Sequence, residues 1–134
     1  MKIISSETYP LRSEIDIVNL RQATRSACNL CKFSLVDQTK LVTAASELAR
    51  NTVVYGGGGS ARLEQISEGI RTGVRLIFED QGPGISDIER AMGDGYTSGK
   101  GLGLGLGGSR RLVNEFDIQS APGKGTTVTI ARWK

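Results

Sequence analysis

The stretch Phe-Glu-Asp-Gln-Gly-Pro-Gly-Ile at residues 78–85 restricts the fold more than any other part of the chain. A strand predicted over residues 74–80 ends at Asp80, and Gly82 and Gly84 flank a proline that stiffens the following turn. A carboxylate held at the end of a strand can accept a hydrogen bond from the exocyclic amine of a base, and glycine beside it lets a flat ring lie against the backbone. Because Asp, Gly and Pro are also favoured in ordinary turns, the stretch alone leaves a base-binding pocket and a plain turn equally open.

A second informative stretch lies on a helix predicted over residues 38–55, with Asp37 as its N-cap and a run of glycines ending it. Glu47 and Asn51 are one helical turn apart, so both side chains project from the same face. A carboxylate there could act as a general base, and a carboxamide oxygen could bind Mg²⁺. The alternative is the polar edge of an amphipathic helix, on which Glu47 and Arg50 form an exposed ion pair.

The third stretch, at residues 99–108, reads Gly-Lys-Gly-Leu-Gly-Leu-Gly-Leu-Gly-Gly and runs into a helix predicted over residues 105–115. Free backbone amides in such a loop can bind an anion, and Lys100 adds a positive charge. Two familiar phosphate motifs do not fit, because no strand precedes the G-x-G-x-x-G spacing and Gly101 replaces the Ser or Thr of a P-loop. The alternative is an ordinary surface loop, although the alternating leucines are not typical of one.

The remaining pattern predicts short helices and strands over the whole chain. The predicted elements are a strand over 2–8, a helix capped by Ser13 that runs to about Leu30, strands over 62–68 and 74–80 around a turn at Gly69 and Gly73, a short helix over 86–92, and a final hairpin of 116–120 and 126–133. This order predicts one α+β domain over residues 1–134, with two layers: a mixed, mostly antiparallel sheet and helices on one face.

Composition excludes several classes of function. The chain of 134 residues contains no histidine, which excludes a Ser-His-Asp triad, and its 2 cysteines cannot supply the four ligands of a structural zinc site. A net charge of +3 with only 5% aromatic residues argues against a platform for nucleic acid and favours a small anionic ligand. Without a membrane-spanning run or a signal-peptide core, we expect a cytoplasmic protein with Cys28 and Cys31 reduced.

The order of these motifs resembles the GHKL ATPase fold, the Bergerat ATP-binding type. Four motifs follow one another along the chain in the order typical of this fold. They are a helix with Glu and Asn, Asp-x-Gly-x-Gly after a strand, a glycine-rich lid, and Gly-Thr at the start of the last strand. The resemblance runs essentially from end to end of the chain. Within the family, residues 46–51, 79–85 and 114–118 are most similar to the anti-sigma-factor serine/threonine kinases, in particular the switch kinases of the stressosome.

The resemblance implies a complete ATP site. Asn51 would hold the Mg²⁺ that bridges the phosphates. Asp80 would accept the adenine amine, with Thr126 supporting that contact through water, and Gly82 and Gly84 would let the backbone close on the nucleotide.

The resemblance also implies the chemistry. Glu47 would orient and deprotonate an attacking hydroxyl, while Lys100 and the amides of Gly101, Gly103 and Gly105 would wrap the phosphates. The hydroxyl would belong to a Ser or Thr of a partner STAS domain, and the released kinase would activate a downstream phosphatase or other output protein. No nucleic acid or membrane partner is expected. Two alternatives remain open: an anti-sigma factor, and a nucleotide-gated binding module with little catalysis.

Overall fold

The computed structural model describes residues 1–84 and 105–134. In these residues the elements are β1 (Lys2–Leu11), α1 (Glu14–Leu30), α2 (Leu35–Val54), β2 (Gly59–Glu68), β3 (Arg71–Asp80), α3 (Gly105–Arg110), β4 (Glu115–Ser120) and β5 (Thr126–Trp133). The helix predicted over residues 86–92 lies outside the described residues, as do Lys100, Gly101 and Gly103. No helix of the described part combines the length and the apolar character needed to cross a lipid bilayer.

The strands form one sheet in the order β1-β2-β3-β5-β4. Every pairing seen between the described strands is antiparallel, so the predicted α+β fold is confirmed and the parallel component of a mixed sheet is not found there. The physical reason is the position of β5. The connection after β3 leads to β4, which runs in the same direction as β3, but the β4–β5 hairpin inserts β5 between them.

The helices cover one face of this sheet. On β3, the alternate residues Val74, Leu76 and Phe78 are buried against α1 and α2, as the two-residue period of a strand requires. Burying each such side chain stabilises the fold by about 1.5–3 kcal/mol. The same core contains Leu11, Ile17, Leu20, Ala27, Cys28, Leu41, Ala44, Ala45, Leu48, Ala49, Ala61, Leu63, Val128 and Ile130.

Helix α2 begins three residues before the predicted start, so the prediction that Asp37 is its N-cap is wrong. The N-cap is Ser34, whose Oγ accepts a hydrogen bond from the Asp37 backbone N–H at 3.1 Å. Leu35 and Val36 then occupy the first turn and are largely exposed. The hydrophobic period did not predict this start of the helix, because these two first-turn residues are apolar although they are exposed.

The β2–β3 connection is shorter than predicted. It consists of Gly69 and Ile70, and Gly73 lies inside β3 rather than in the turn. Gly73 is needed there because a Cβ atom would lie 2.9 Å from Cε3 of the Trp133 ring. The helix predicted over residues 105–115 is also shorter, since α3 ends at Arg110 and β4 has begun by Glu115.

An ion pair anchors the start of α2 to the opposite end of the chain. Arg132 donates from Nη2 to Asp37 Oδ1 at 2.6 Å and from Nη1 to the Leu112 carbonyl oxygen at 2.9 Å. The hydrogen bond from Arg132 holds the pKa of Asp37 below its ordinary value of 3.8. Because the pKa is lower in the folded state, the stabilisation is present above the unfolded-state pKa and is lost as the pH falls through the folded-state pKa.

We therefore expect Asp37→Asn to unfold at a lower temperature than the wild type near neutral pH and to lose less stability on acidification. Thermal unfolding followed by circular dichroism between about pH 6 and pH 3 measures this difference. Asp117→Asn, which removes an exposed carboxylate of β4, is the matched control. The expectation fails if Asp37→Asn and the wild type show the same pH dependence.

Candidate active site

A buried carboxylate and a half-buried carboxamide, Glu47 and Asn51, lie one turn apart on α2. Glu47 is only 5% exposed, although it belongs to a helix that starts and ends near the surface. The exposed Glu47–Arg50 pair is not formed, because Arg50 Nη1 bonds to Glu14 Oε1 of α1 at 2.8 Å. Burying a carboxylate is unfavourable unless its surroundings compensate, so Glu47 is not an ordinary surface residue of an amphipathic helix.

The second part of the site is the end of β3. Asp80 pairs with Gly59 of β2 on one side and with Thr126 of β5 on the other. Its Oδ1 accepts a hydrogen bond from the Gly82 backbone N–H at 2.9 Å. This bond fixes the carboxylate at the end of the strand, where the sequence predicted it, and the register of β3 and β5 places Thr126 beside it.

Thr126 has a partner that sequence reasoning missed. The Ser120 hydroxyl donates to the Gly125 carbonyl oxygen at 2.9 Å and lies 2.8 Å from Thr126 Oγ1. Either hydroxyl can donate in the second contact, so Ser120 holds the Thr126 hydroxyl in place beside Asp80. The only sequence signal for Ser120 is its register opposite Thr126 across the predicted hairpin.

The two glycines after Asp80 are needed for close packing. A Cβ atom at Gly82 would lie 2.8 Å from the Cα of Gly56, at the end of α2. Gly84 has φ +77 and approaches the Ala121 carbonyl oxygen so closely that a Cβ atom would overlap it. The residues after β3 are therefore clamped between the end of α2 and the β4–β5 turn.

Of the residues predicted to wrap the phosphates, Gly105 falls within the described residues, where it is the first residue of α3. The next residue, Leu106, is buried in the main core together with residues of α2. Helix α3 is thus packed beside the helix that carries Glu47 and Asn51. The predicted roles of Lys100, Gly101 and Gly103 concern residues outside the described part.

Glu47 also lines a cleft between α1 and α2 with a volume of about 530 Å³. The cleft walls carry the cationic side chains Arg21, Arg25 and Arg50, and its apolar part includes Val42. Within the described residues, Nε of Arg21 is buried and has no hydrogen-bond partner. The cleft therefore combines three cationic side chains with the buried carboxylate of Glu47.

Comparison with known proteins agrees with this arrangement. Residues 36–134 match the family model described as histidine kinase-, DNA gyrase B-, and HSP90-like ATPase. The chain belongs to this ATPase family. The match includes α2, the end of β3 and the β4–β5 hairpin, which are the elements that carry Glu47, Asn51, Asp80 and Thr126.

Two related proteins indicate which branch of the family the chain resembles. The chain is 43% identical to the serine/threonine-protein kinase RsbT of Bacillus subtilis. The aligned region has 123 residues and covers 92% of both chains. It is 31% identical over 96 residues to the anti-sigma F factor of a Thermoanaerobacter species, which covers 68% of this chain and 66% of the relative. The chain is accordingly an ATP-dependent serine/threonine kinase of the RsbT type, and the kinase prediction is confirmed; the anti-sigma-factor alternative fits less well.

Solved structures with low sequence identity support the fold alone. The RsbU and RsbW domains of Rv1364c from Mycobacterium tuberculosis superpose with a TM-score of 0.63 at 18% identity, over 97% of this chain and 33% of that chain. The mycobacterial sensor histidine kinase MprB superposes with a TM-score of 0.57 at 20% identity, over 96% and 97% of the two chains. Both agree with the predicted α+β fold.

The C-x-x-C pair lies away from this chemistry. Cys28 and Cys31 are free thiols at the end of α1, 0% and 7% exposed. Burial, and then the neighbouring Cys31, raise the pKa of Cys28 from 9.0 to about 12, and burial also raises the pKa of Cys31. At neutral pH the Cys28 thiol is therefore protonated, and its nucleophilic thiolate is much rarer than in an exposed cysteine.

We expect neither thiol of the folded protein to react with Ellman's reagent on the timescale of a free thiol, and both to react after unfolding in guanidinium chloride. Absorbance of the released thionitrobenzoate measures the number of reacting thiols and their rates. Ser26→Cys, at an exposed position of α1, is the control that should add one rapidly reacting thiol. Rapid reaction of two thiols in the folded wild type would contradict the expectation.

Proposed function

We propose that the chain transfers the γ-phosphate of ATP to a Ser or Thr hydroxyl of a STAS-domain protein in the cytoplasm. We further propose that, once released, it binds and activates an output protein such as a phosphatase. The observation that carries the proposal is the position of Glu47. This buried carboxylate lies one turn from Asn51 and also lines the cationic cleft between α1 and α2. In this proposal Glu47 would lie between the nucleotide near Asn51 and a protein substrate that approaches through the cleft.

The nucleotide would be held at the end of β3. Asp80, already fixed by the Gly82 N–H, would accept the adenine amine through its second carboxylate oxygen. Thr126, whose hydroxyl is held by Ser120, would support this contact through a water molecule bound to the same base. Gly82 and Gly84, which pack against the backbone of Gly56 and Ala121, would let the chain after β3 close on the nucleotide.

The half-buried side chain of Asn51 would hold Mg²⁺. Its amide oxygen is a hard, neutral ligand of the kind that Mg²⁺ accepts alongside phosphate oxygens and water, so the residue fits the ion. Mg²⁺, when bound, supplies charge neutralisation on the phosphates. Lys100 and the backbone amides of Gly101, Gly103 and Gly105 would add positive potential around the same phosphates.

In the transfer step, Glu47 would accept the proton of the acceptor hydroxyl. The hydroxyl oxygen would form a bond to the γ-phosphorus as the bond between that phosphorus and the β,γ-bridging oxygen breaks, with ADP as the leaving group. Arg21 and Arg25 in the cleft would attract acidic groups near the acceptor residue. The burial of Glu47 keeps the carboxylate oriented before the substrate arrives.

Intact mass spectrometry tests the proposal directly. The chain is mixed with Mg-ATP and a STAS-domain protein from the same genome, and the mass of the STAS protein is measured. A gain of one phosphate that is lost with Glu47→Ala supports the proposal. Binding of ATP in calorimetry without any transfer to the STAS protein would contradict it.

The relatives named anti-sigma F factor motivate one alternative outcome. An anti-sigma factor would sequester a sigma subunit, and both functions need the same ATP site. Affinity purification of the tagged chain separates them. Recovery of a sigma factor rather than a STAS-domain protein would favour the alternative.

A further inference from the structure

Gly56 lies just after the end of α2, and the proposed function gives it no role. Its backbone N–H donates to the Asn51 carbonyl oxygen at 3.0 Å, and the Tyr55 N–H donates to the same oxygen at 2.9 Å. Two residues on, the Gly58 N–H donates to the Thr52 carbonyl oxygen at 2.9 Å. The backbone at Gly56 is therefore fixed by the same helix that carries Asn51.

The Asp80 side chain packs directly on the Cα of Gly56. A Cβ atom at Gly56 would lie 2.5 Å from Asp80 Cγ, 2.6 Å from Asp80 Cβ and 2.6 Å from Asp80 Oδ2. The φ angle of Gly56 lies outside the left-handed region, so alanine is compatible with the backbone there. The obstacle to a side chain at Gly56 is thus the Asp80 carboxylate rather than backbone strain.

The opposite side of the same carboxylate is also held. The Gly82 N–H donates to Asp80 Oδ1 at 2.9 Å, and Gly82 itself packs against the Gly56 backbone. The carboxylate consequently lies between two backbone segments that touch each other, and its Oδ2 is directed past the bare Cα of Gly56. Any atom added at Gly56 must displace Oδ2.

We propose that Gly56 is a positioning residue that sets the orientation of the Asp80 carboxylate and thereby the preference for adenine over a base that lacks the exocyclic amine. The inference rests on the proposed role of Asp80 in binding the adenine amine. An added methyl group at Gly56 moves Oδ2 out of line with the amine. A base with a carbonyl oxygen at that position has no such contact to lose.

Calorimetric titration with ADP and with inosine diphosphate tests the proposal on the full chain. We expect Gly56→Ala to weaken ADP binding by about 10-fold or more, the range expected for a hydrogen bond to a charged group. Binding of inosine diphosphate should change by less than about twofold. The ratio of the ADP affinity to the inosine diphosphate affinity should therefore fall towards the ratio measured for Asp80→Gly. A purely structural effect would weaken both nucleotides equally and leave the preference unchanged.

A double-mutant cycle adds an independent criterion. Asp80→Gly removes every atom that the new methyl group would meet most closely, so Gly56→Ala in that background should change ADP affinity by less than about twofold. Gly69→Ala, in the distant β2–β3 turn at φ +62, controls for loss of stability without a change of preference. If Gly56→Ala alone does not fold, thermal unfolding must show that the double variant does; an unfolded double variant overturns the proposal.

The outcomes separate the inference from the proposed function. If the wild type binds no adenine nucleotide, the proposed function itself fails. If the wild type binds ADP and Gly56→Ala retains both the affinity and the preference, only the positioning role is overturned.

Discussion

Glu47→Gln is expected to lower the rate of phosphate transfer by about 10²–10⁴-fold, the range that a general base contributes. The substitution keeps the shape of the buried side chain but removes its negative charge and the group that accepts the hydroxyl proton. ADP affinity should stay within about twofold of the wild type, because Glu47 acts on the acceptor rather than on the base. Initial rates of STAS-protein phosphorylation and calorimetric ADP titrations measure the two effects separately.

Glu68→Gln is the matched control for this variant. Glu68 lies at the far end of β2, is 55% exposed, and pairs with Arg71 at 3.8 Å, so its loss should leave the transfer rate unchanged. A Glu47→Gln protein that transfers phosphate at the wild-type rate would remove Glu47 from its proposed role. A variant that loses ADP binding as well would show that Glu47 supports the nucleotide pocket instead.

Asn51→Ala is expected to make nucleotide binding insensitive to Mg²⁺. In the wild type, added Mg²⁺ should tighten ADP binding, and in the variant this gain in affinity should disappear. The rate of phosphate transfer should also fall by at least roughly 10–100-fold, which is the usual cost of losing a supporting metal contact. Calorimetric titrations with ADP in the presence of Mg²⁺ and of EDTA measure the difference. The physical reason is that alanine offers no oxygen to replace the amide.

Asn19→Ala provides the control for Asn51→Ala. Asn19 is an exposed residue of α1, so its substitution gives the same gain in helix propensity without touching the site. An Asn51→Ala protein that retains the full Mg²⁺ dependence would place the metal ligand elsewhere. Equal loss of ADP affinity with and without Mg²⁺ would indicate damage to the pocket as a whole.

The parts of the fold that local patterns specify were predictable. The hydrophobic periods of α1, α2 and β3 indicated their type, and the i, i+4 spacing of Glu47 and Asn51 was enough to place both on one helical face. Boundaries were less certain where a local signal was weak. The start of α2 was missed because its first-turn residues Leu35 and Val36 are exposed although apolar.

Contacts between distant segments were beyond the reach of sequence reasoning. Ser120 became a partner of Thr126 only through the register of β4 and β5, and Arg50 pairs with Glu14 of α1 rather than with its neighbour Glu47. The local pattern of the glycine run after α2 predicts only the end of the helix. In the structure, Gly56 of that run packs against the Asp80 carboxylate.

The sequence by itself determined which chemical groups are present and which lie on the same element: a carboxylate and an amide on one helix, an aspartate at a strand end, and glycines where the backbone must come close. Periodicity and turn chemistry act over a few residues, so these features follow from local sequence. Only the tertiary structure decided which of these groups meet. Packing of α2 on the sheet set the end of that helix against Asp80, and packing of α1 on α2 formed the cationic cleft beside Glu47, because such contacts depend on the relative placement of elements that are far apart in the chain.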